Sequence, residues 1–328
     1  METIVAKDLR KKFGKLVAVK DVSFAVQSGE IFGFLGPNGA GKSTTIKMLC
    51  TLLKPTGGRA WLAGYDVAAQ PDAVRRSIGL VFQDPSLDEN LTAGENLYFH
   101  AILYGIPTAE RQERLGEVLR MVDLYDRRND IVKTFSGGMK RRLEIARGLL
   151  HYPKVLFLDE PTLGLDPQTR AHIWEYIHQI RARAGMTIFL TTHYMDEAEN
   201  CDRIAIIDHG ELVAMDTPGE LKRLVGGDLI TVRSEDDEQL SARLQAAYGV
   251  TPARTPDGLR FEIDNGEEFI PRFVAAEHGH IKAISLRKPT LDDVFLKLTG
   301  REIREETLSG LDVMRERRRM RRHRTPHH

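Results

Sequence analysis

Apolar residues in this chain come in two textures, short unbroken runs and helically spaced sets, and the two alternate. The runs at residues 31–35 and 155–158 are strand-length and uninterrupted, the pattern of a strand covered on both faces. Residues 3–6 and 22–26 read as strands of a smaller antiparallel sheet. Gly57-Gly58 is expected to open a turn, with a strand resuming at 60–63, and 78–82 and 187–191 are further short apolar strands. Helical spacing is expected over 43–53, over 168–184, and over 137–150, where Leu143, Ala146, Leu149 and Leu150 share a buried side. Strands alternating with helices in this way imply a mostly parallel sheet. From residue 84 to about 150 apolar positions recur at helical spacing, at 97–103 and 115–122, which predicts a helical insertion in an α/β core.

Gly226-Gly227 marks a boundary. Beyond it the pattern predicts strand 229–233, helix 238–248, strand 259–263, helix 267–277, strand 281–286 and helix 291–298, a small α+β module. The division is therefore residues 1–225, residues 228–305, and a tail at 306–328. The tail carries Arg315-Glu316-Arg317-Arg318-Arg319-Met320-Arg321-Arg322-His323-Arg324, which reads as a solvated disordered run or as a contact with anionic lipid headgroups. No aromatic residues interleave those arginines, so nucleic acid is not the expected partner.

Composition narrows the class. The chain has 328 residues and is 41% apolar, enough for a large domain and a smaller one. Lys+Arg and Asp+Glu each total 47, which leaves no overall basic excess. Cys50 and Cys201 form neither a disulfide framework nor a metal spacing, and a reduced, cytosolic chain is expected. No apolar stretch reaches the ~20 residues of a membrane span, and the start lacks a secretory core. If the protein serves transport, another chain must supply the path through the bilayer.

The chemistry sits in four segments. Gly36-Pro37-Asn38-Gly39-Ala40-Gly41-Lys42-Ser43-Thr44 follows a strand and opens a helix, the context a phosphate-binding loop requires. Its glycines let backbone N–H groups wrap phosphate oxygens, and the helix N-terminus faces the same anion. Lys42 is expected on the β- and γ-phosphates, the Ser43 hydroxyl on Mg2+, and Thr44 in hydrogen bonding to phosphate. An apolar strand ends in Asp159-Glu160, where Asp159 would hold Mg2+ and Glu160 would polarise the attacking water. Ser136-Gly137-Gly138 begins a helix and taken alone is a helix cap. Alone, Gln83 reads as a surface residue, and His193 as a structural histidine at a strand end.

Order and spacing change those readings. The glycine-rich loop, then Phe135-Ser136-Gly137-Gly138-Met139, then Leu156-Phe157-Leu158-Asp159-Glu160, then His193 resemble the motifs of the ATP-binding cassette family over roughly residues 2–225, with further similarity to about residue 305. The resemblance implies an α/β P-loop NTPase core with an antiparallel β subdomain and a helical insertion, plus a small C-terminal α+β domain. It implies that Ser136, Gly137 and Gly138 serve the γ-phosphate held by a second copy, that Asp166 crosses the dimer interface, and that Gln83 reaches Mg2+ and the attacking water. It further implies that His193 contacts the γ-phosphate and is coupled to Glu160, and that Phe13 stacks on adenine, although Phe13 also reads as a core residue. The sequence departs from the commoner pattern at Phe135, Met139 and Leu163. The segment 191–199 and the ending 288–300 look like the daunorubicin-resistance type of ATP-binding protein. That likeness implies a homodimer hydrolysing ATP with Mg2+ on the cytoplasmic side of the membrane, held by a separate permease of the ABC-2 type. A soluble, non-transport ATPase and the ATPase of an importer are the rival readings.

Overall fold

The computed structural model describes residues 1–277 and 280–300; the Arg-rich run and the end of the second division lie outside the described residues. β1 (Glu2–Phe13) and β2 (Leu16–Gln27) pair antiparallel, β3 (Ile31–Leu35) runs into the glycine-rich loop, and α1 (Lys42–Leu49) follows. β4 (Gly57–Leu62) and β5 (Tyr65–Asp66) complete an antiparallel sheet of order β2-β1-β4-β5. After α2 (Pro71–Ser77) and β6 (Ile78–Val81) comes the helical insertion of α3 (Ala93–Leu103), α4 (Thr108–Met121) and α5 (Gly137–Leu149). The chain continues through β7 (Val155–Asp159), α6 (Pro167–Ala184), β8 (Thr187–Thr192), the short α7 (Met195–Ala198), β9 (Arg203–Asp208), β10 (Glu211–Asp216) and α8 (Pro218–Arg223). The main sheet has the order β10-β9-β3-β8-β7-β6 and is parallel except at β10.

β3 explains why this sheet needs cover on both faces. Its five residues are all buried. Phe32 and Phe34 point to the antiparallel sheet, where they meet Phe24 and Phe189, with Phe157 on Phe189, at centroid separations of 5.3 to 5.9 Å. Ile31 and Leu35 point the other way, into the core shared with the helices. Alternation along a strand thus sorts its side chains into two cores.

Two local expectations are corrected. Gly57-Gly58 does not open a turn but lies at the start of β4. A Cβ on Gly58, whose φ is +74°, would stand 2.1 Å from the Asp8 carbonyl oxygen, where the pairing with β1 slips register between Lys7 and Arg10. Only glycine tolerates that approach. The helix expected to residue 53 stops at Leu49, because the Thr51 N–H donates to the Met48 carbonyl at 3.1 Å, three residues back, and Thr51 turns left-handed at φ +64°.

The C-terminal module runs β11 (Asp228–Ser234), α9 (Asp237–Tyr248), β12 (Ala253–Thr255), β13 (Gly258–Ile263), α10 (Gly266–Ala276) and β14 (Ile281–Arg287), with sheet order β12-β13-β11-β14. This is a β-α-β-β-α-β plait around Ile230, Val232, Leu244, Phe261 and Phe273. The last helix, α11 (Leu291–Thr299), does not join that core. It packs on α7 and α8, and Leu291, Val294 and Phe295 are buried in the core of the first division. The Lys297 ammonium donates to the Leu224 and Val225 carbonyls, each at 2.9 Å, at the end of α8. Phe295→Ala is therefore expected to cost about 3–5 kcal/mol, read by chemical denaturation of the full chain. A loss below about 1 kcal/mol would mean that α11 only rests on the surface.

Candidate nucleotide site

The order of strands sets the site. Along the carboxyl edge of the parallel sheet β3 ends in the glycine-rich loop, β8 in Thr192-His193, β7 in Asp159-Glu160, and β6 next to Gln83. Open α/β sheets bind ligands outside this edge. The strand pairings hold the ends level: Leu35 lies opposite Thr192, Asp159 opposite Thr191, and the Gly36 N–H donates to the Thr192 carbonyl at 3.3 Å.

The loop is shaped for close approach. A Cβ on Gly36 would stand 2.2 Å from the Ile207 carbonyl oxygen, and one on Gly41, at φ +108°, 2.7 Å from that of Ala18. Gly41 is the N-cap of α1, so that helix aims its free N–H groups into the loop. Lys42 is buried over the loop, donating to the Gly36 carbonyl at 2.6 Å and the Pro37 carbonyl at 3.1 Å. Burial pushes its ammonium down from the ordinary value, against the opposing pull of Glu160.

The two acids are held differently. Asp159 Oδ1 accepts from Thr191 Oγ1 at 2.6 Å and from Ser43 Oγ at 3.1 Å. A carboxylate and a hydroxyl oxygen thus converge, and this hard-oxygen pair fits Mg2+, which takes few protein ligands and completes its shell with phosphate and water. Glu160 Oε1 lies 3.4 Å from Lys42 Nζ and 3.3 Å from His193 Nδ1, the latter off the line of a good hydrogen bond. Burial raises the Glu160 carboxyl, but the imidazole and the ammonium outweigh it and leave it below its ordinary value, ionised at neutral pH. Its backbone is left-handed at φ +47°, a conformation that costs a non-glycine residue of order 1–3 kcal/mol. The Glu160 N–H is held by the Thr191 carbonyl at 3.2 Å and the Thr191 hydroxyl at 3.1 Å.

The remaining residues do not join this cluster within one subunit. Ser136 caps α5, accepting from the Met139 N–H at 3.2 Å, and Asp166 caps α6, accepting from the Thr169 N–H at 3.0 Å and its hydroxyl at 2.6 Å. The two caps meet: a Cβ on Gly138 would stand 2.4 Å from Thr169 Cγ2, and one on Gly137 3.3 Å from Leu165. Gln83 is exposed beyond β6, and Phe13 is 47% exposed at the end of β1 with the Lys11 ammonium 5.2 Å from its ring centroid, which removes its reading as a core residue. Cys50 and Cys201 are buried and burial pushes both thiols up, so neither is a nucleophile.

Sequence reasoning missed the buried ionic residues that brace this site, Arg141 and Glu197 foremost. Arg141 donates from Nε to the Pro161 carbonyl at 2.7 Å and from its η nitrogens to the Asp159 carbonyl at 3.0 Å and to the Phe82 carbonyl. Glu197, on α7, accepts from Thr192 Oγ1 at 2.8 Å and from Thr162 Oγ1, tying the loop after Glu160 to the loop of His193; burial raises its carboxyl. Arg141, Glu144 and Arg147 lie three residues apart on one face of α5. That spacing was visible but is indistinguishable from a solvated ion-pair ladder.

Known proteins similar to this chain place it in a family. The model of the family described as ABC transporter matches residues 19–163, and that described as ATP-binding protein DrrA1-3-like, C-terminal domain, matches residues 217–299. The daunorubicin/doxorubicin resistance ATP-binding protein DrrA of Streptomyces peucetius is 42% identical, over 90% of this chain and 92% of that protein. The linearmycin resistance ATP-binding protein LnrL of Bacillus subtilis is 40% identical, over 92% of this chain and 99% of that one. Among solved structures, an ATP-binding subunit of an ABC transporter aligns with TM-score 0.60 and 35% identity, covering 68% of this chain and 92% of that chain. The cassette MJ0796, a dimer in a post-hydrolysis state bound to ADP and Pi, aligns with TM-score 0.59 and 30% identity, covering 65% of this chain and 98% of that one.

Proposed function

We propose, from the premise that this chain belongs to the ATP-binding cassette family as an ATP-hydrolysing transporter subunit of the drug-resistance type, that two copies close around two ATP molecules and drive a separate membrane permease. The observation that carries the reading is the separation of parts within one subunit. Lys42, Ser43, Asp159, Glu160 and His193 form one cluster, whereas the hydrogen bonds of Ser136 and Asp166 run within their own helices. Ser136, Gly137 and Gly138 at the head of α5 make a second anion site, which would complete the cluster of a partner copy. The loop 36–44 would hold the triphosphate, Phe13 would stack on adenine, and Ser43, Asp159 and Gln83 would hold Mg2+. That ion, when bound, neutralises charge building on the β- and γ-phosphates. Glu160 takes a proton from the attacking water, and His193 orients Glu160 and the γ-phosphate.

Support for a membrane partner comes from α3. It buries Ala93, Leu97 and Ala101, yet Phe99, Ile102, Leu103 and Tyr104 stand in solvent. An apolar patch of this kind marks an interaction site. Among the described residues no helix is long and apolar enough to cross a membrane. On this reading the subunit sits at the cytoplasmic face of the membrane, held by a permease of the ABC-2 type, with residues 315–324 as a contact with anionic headgroups.

The test is capture of the Glu160→Gln protein from its native cells with MgATP in mild detergent. One multi-span membrane protein in stoichiometric amount is expected, and it is expected to be lost with Phe99→Asp/Leu103→Asp while the ATPase rate of the purified subunit stays unchanged. Recovery of ribosomal or DNA-bound proteins alone would favour the soluble ATPase, and an importer permease would reverse the direction of transport.

A further inference from the structure

α5 is capped by Ser136, and its second turn carries a buried arginine that grips the segment of Asp159-Glu160. Arg141 is 6% exposed. Its Nε reaches the Pro161 carbonyl at 2.7 Å and one η nitrogen the Asp159 carbonyl at 3.0 Å, the carbonyls immediately before and after Glu160. The other η nitrogen donates to the Phe82 carbonyl, immediately before Gln83, and to Glu144 Oε2 at 3.1 Å. The second oxygen of Glu144 accepts from the Ser86 N–H at 2.9 Å, so the loop beyond Gln83 is tied to the same helix face. One planar guanidinium thus spans three chain segments, a geometry that a lysine ammonium cannot reproduce.

Glu160 needs such a clamp. Its left-handed φ of +47° persists only if its surroundings over-determine it. Thr191 fixes its N–H from one side, and Arg141 fixes both flanking carbonyls from the other. The clamp is built on α5, whose N-terminus would meet the γ-phosphate held by the partner copy. A shift of α5 as it engages that phosphate is therefore transmitted to the backbone that aims Glu160 at its own ATP.

We propose that Arg141 is a positioning residue that couples the two nucleotide sites, so that engagement of ATP in one site sets the aim of the catalytic carboxylate in the other. This rests on the two-site dimer proposed above. The coupling requires that hydrolysis be cooperative in ATP.

The test is steady-state ATPase kinetics of the full chain with Arg141→Lys, alongside Glu144→Gln, which keeps the arginine but loosens its anchor. For Arg141→Lys, kcat is expected to fall on the order of 10- to 100-fold, the cost typical of a slightly misplaced reacting group. ATP affinity is expected to stay within about twofold, and the Hill coefficient to drop from above 1 in the unmodified protein to 1. Glu144→Gln is expected to shift both in the same direction by less, and it decides the matter if Arg141→Lys fails to fold. An unchanged kcat, a lowered kcat with an unchanged Hill coefficient, or a Hill coefficient of 1 in the unmodified protein overturns the coupling. Failure of the dimer reading shows separately: Glu160→Gln would then elute as a monomer with MgATP whatever the kinetics of the Arg141 variant.

Discussion

Glu160→Gln is expected to lower ATP turnover by ~10²–10⁴-fold, the range a positioned general base contributes, with MgATP still bound. The substitution is nearly isosteric, so the buried niche between Lys42 and His193 stays filled. What is lost is the negative charge 3.4 Å from Lys42 Nζ and 3.3 Å from His193 Nδ1, and with it the capacity to accept a proton from water. The opposing groups keep Glu160 below its ordinary pKa, so the unmodified enzyme holds its base ionised at neutral pH. Protonation of that carboxylate in acid should imitate the substitution, with turnover falling as pH drops through the lowered value. Because ATP then persists at closed sites, the variant should elute as a dimer with MgATP. Turnover close to that of the unmodified protein would remove Glu160 from the role of base.

The parts of this site that were legible in the sequence are those whose function depends on local chain geometry. A glycine-rich turn between a strand and a helix, and acids at the end of an apolar strand, carry their meaning within a few residues. The strand runs were legible for a related reason: a strand buried on both faces, such as β3, has no polar position to confuse its period. What escaped was long-range. Gly58 looks like a turn residue until Asp8 is seen against it. Arg141 and Arg142 look like a solvated pair, yet Arg141 is buried against backbone from segments some 20 and 59 residues away. α11 was read correctly as a helix but assigned by chain order to the module it follows. Its apolar face, Leu291, Val294 and Phe295, packs instead into the core of the first division. Sequence proximity thus misjudged where the two parts of the chain are joined.

The second large effect is expected from Ser136→Arg, and its interest lies in which subunit it damages. The serine caps α5 through the Met139 N–H at 3.2 Å. Losing the cap costs only ~1 kcal/mol, too little to unfold the domain, while a long cation now occupies the helix N-terminus where an anion is to bind. Hydrolysis is expected to fall on the order of 10²-fold or more, as when a preorganised donor to a transition-state anion is removed. The loop 36–44 and the pair Asp159-Glu160 are untouched, so ATP binding should survive; a variant that binds no ATP would leave the trans role unsupported. Mixed dimers sharpen the point. If the α5 N-terminus serves the partner's ATP, Ser136→Arg on one chain and Glu160→Gln on the other damage the same site, and the second site keeps its full set of residues and continues to turn over, slowed only by the lost coupling through Arg141. With both substitutions on one chain and none on the other, both sites are damaged and turnover collapses. If Ser136 instead served its own subunit's ATP, the order would reverse, with the doubly substituted chain leaving its partner active. The comparison depends only on the ranking of two rates measured at the same subunit ratio, and it assigns Ser136 to one subunit's ATP or the other's independently of how much a single site can do alone.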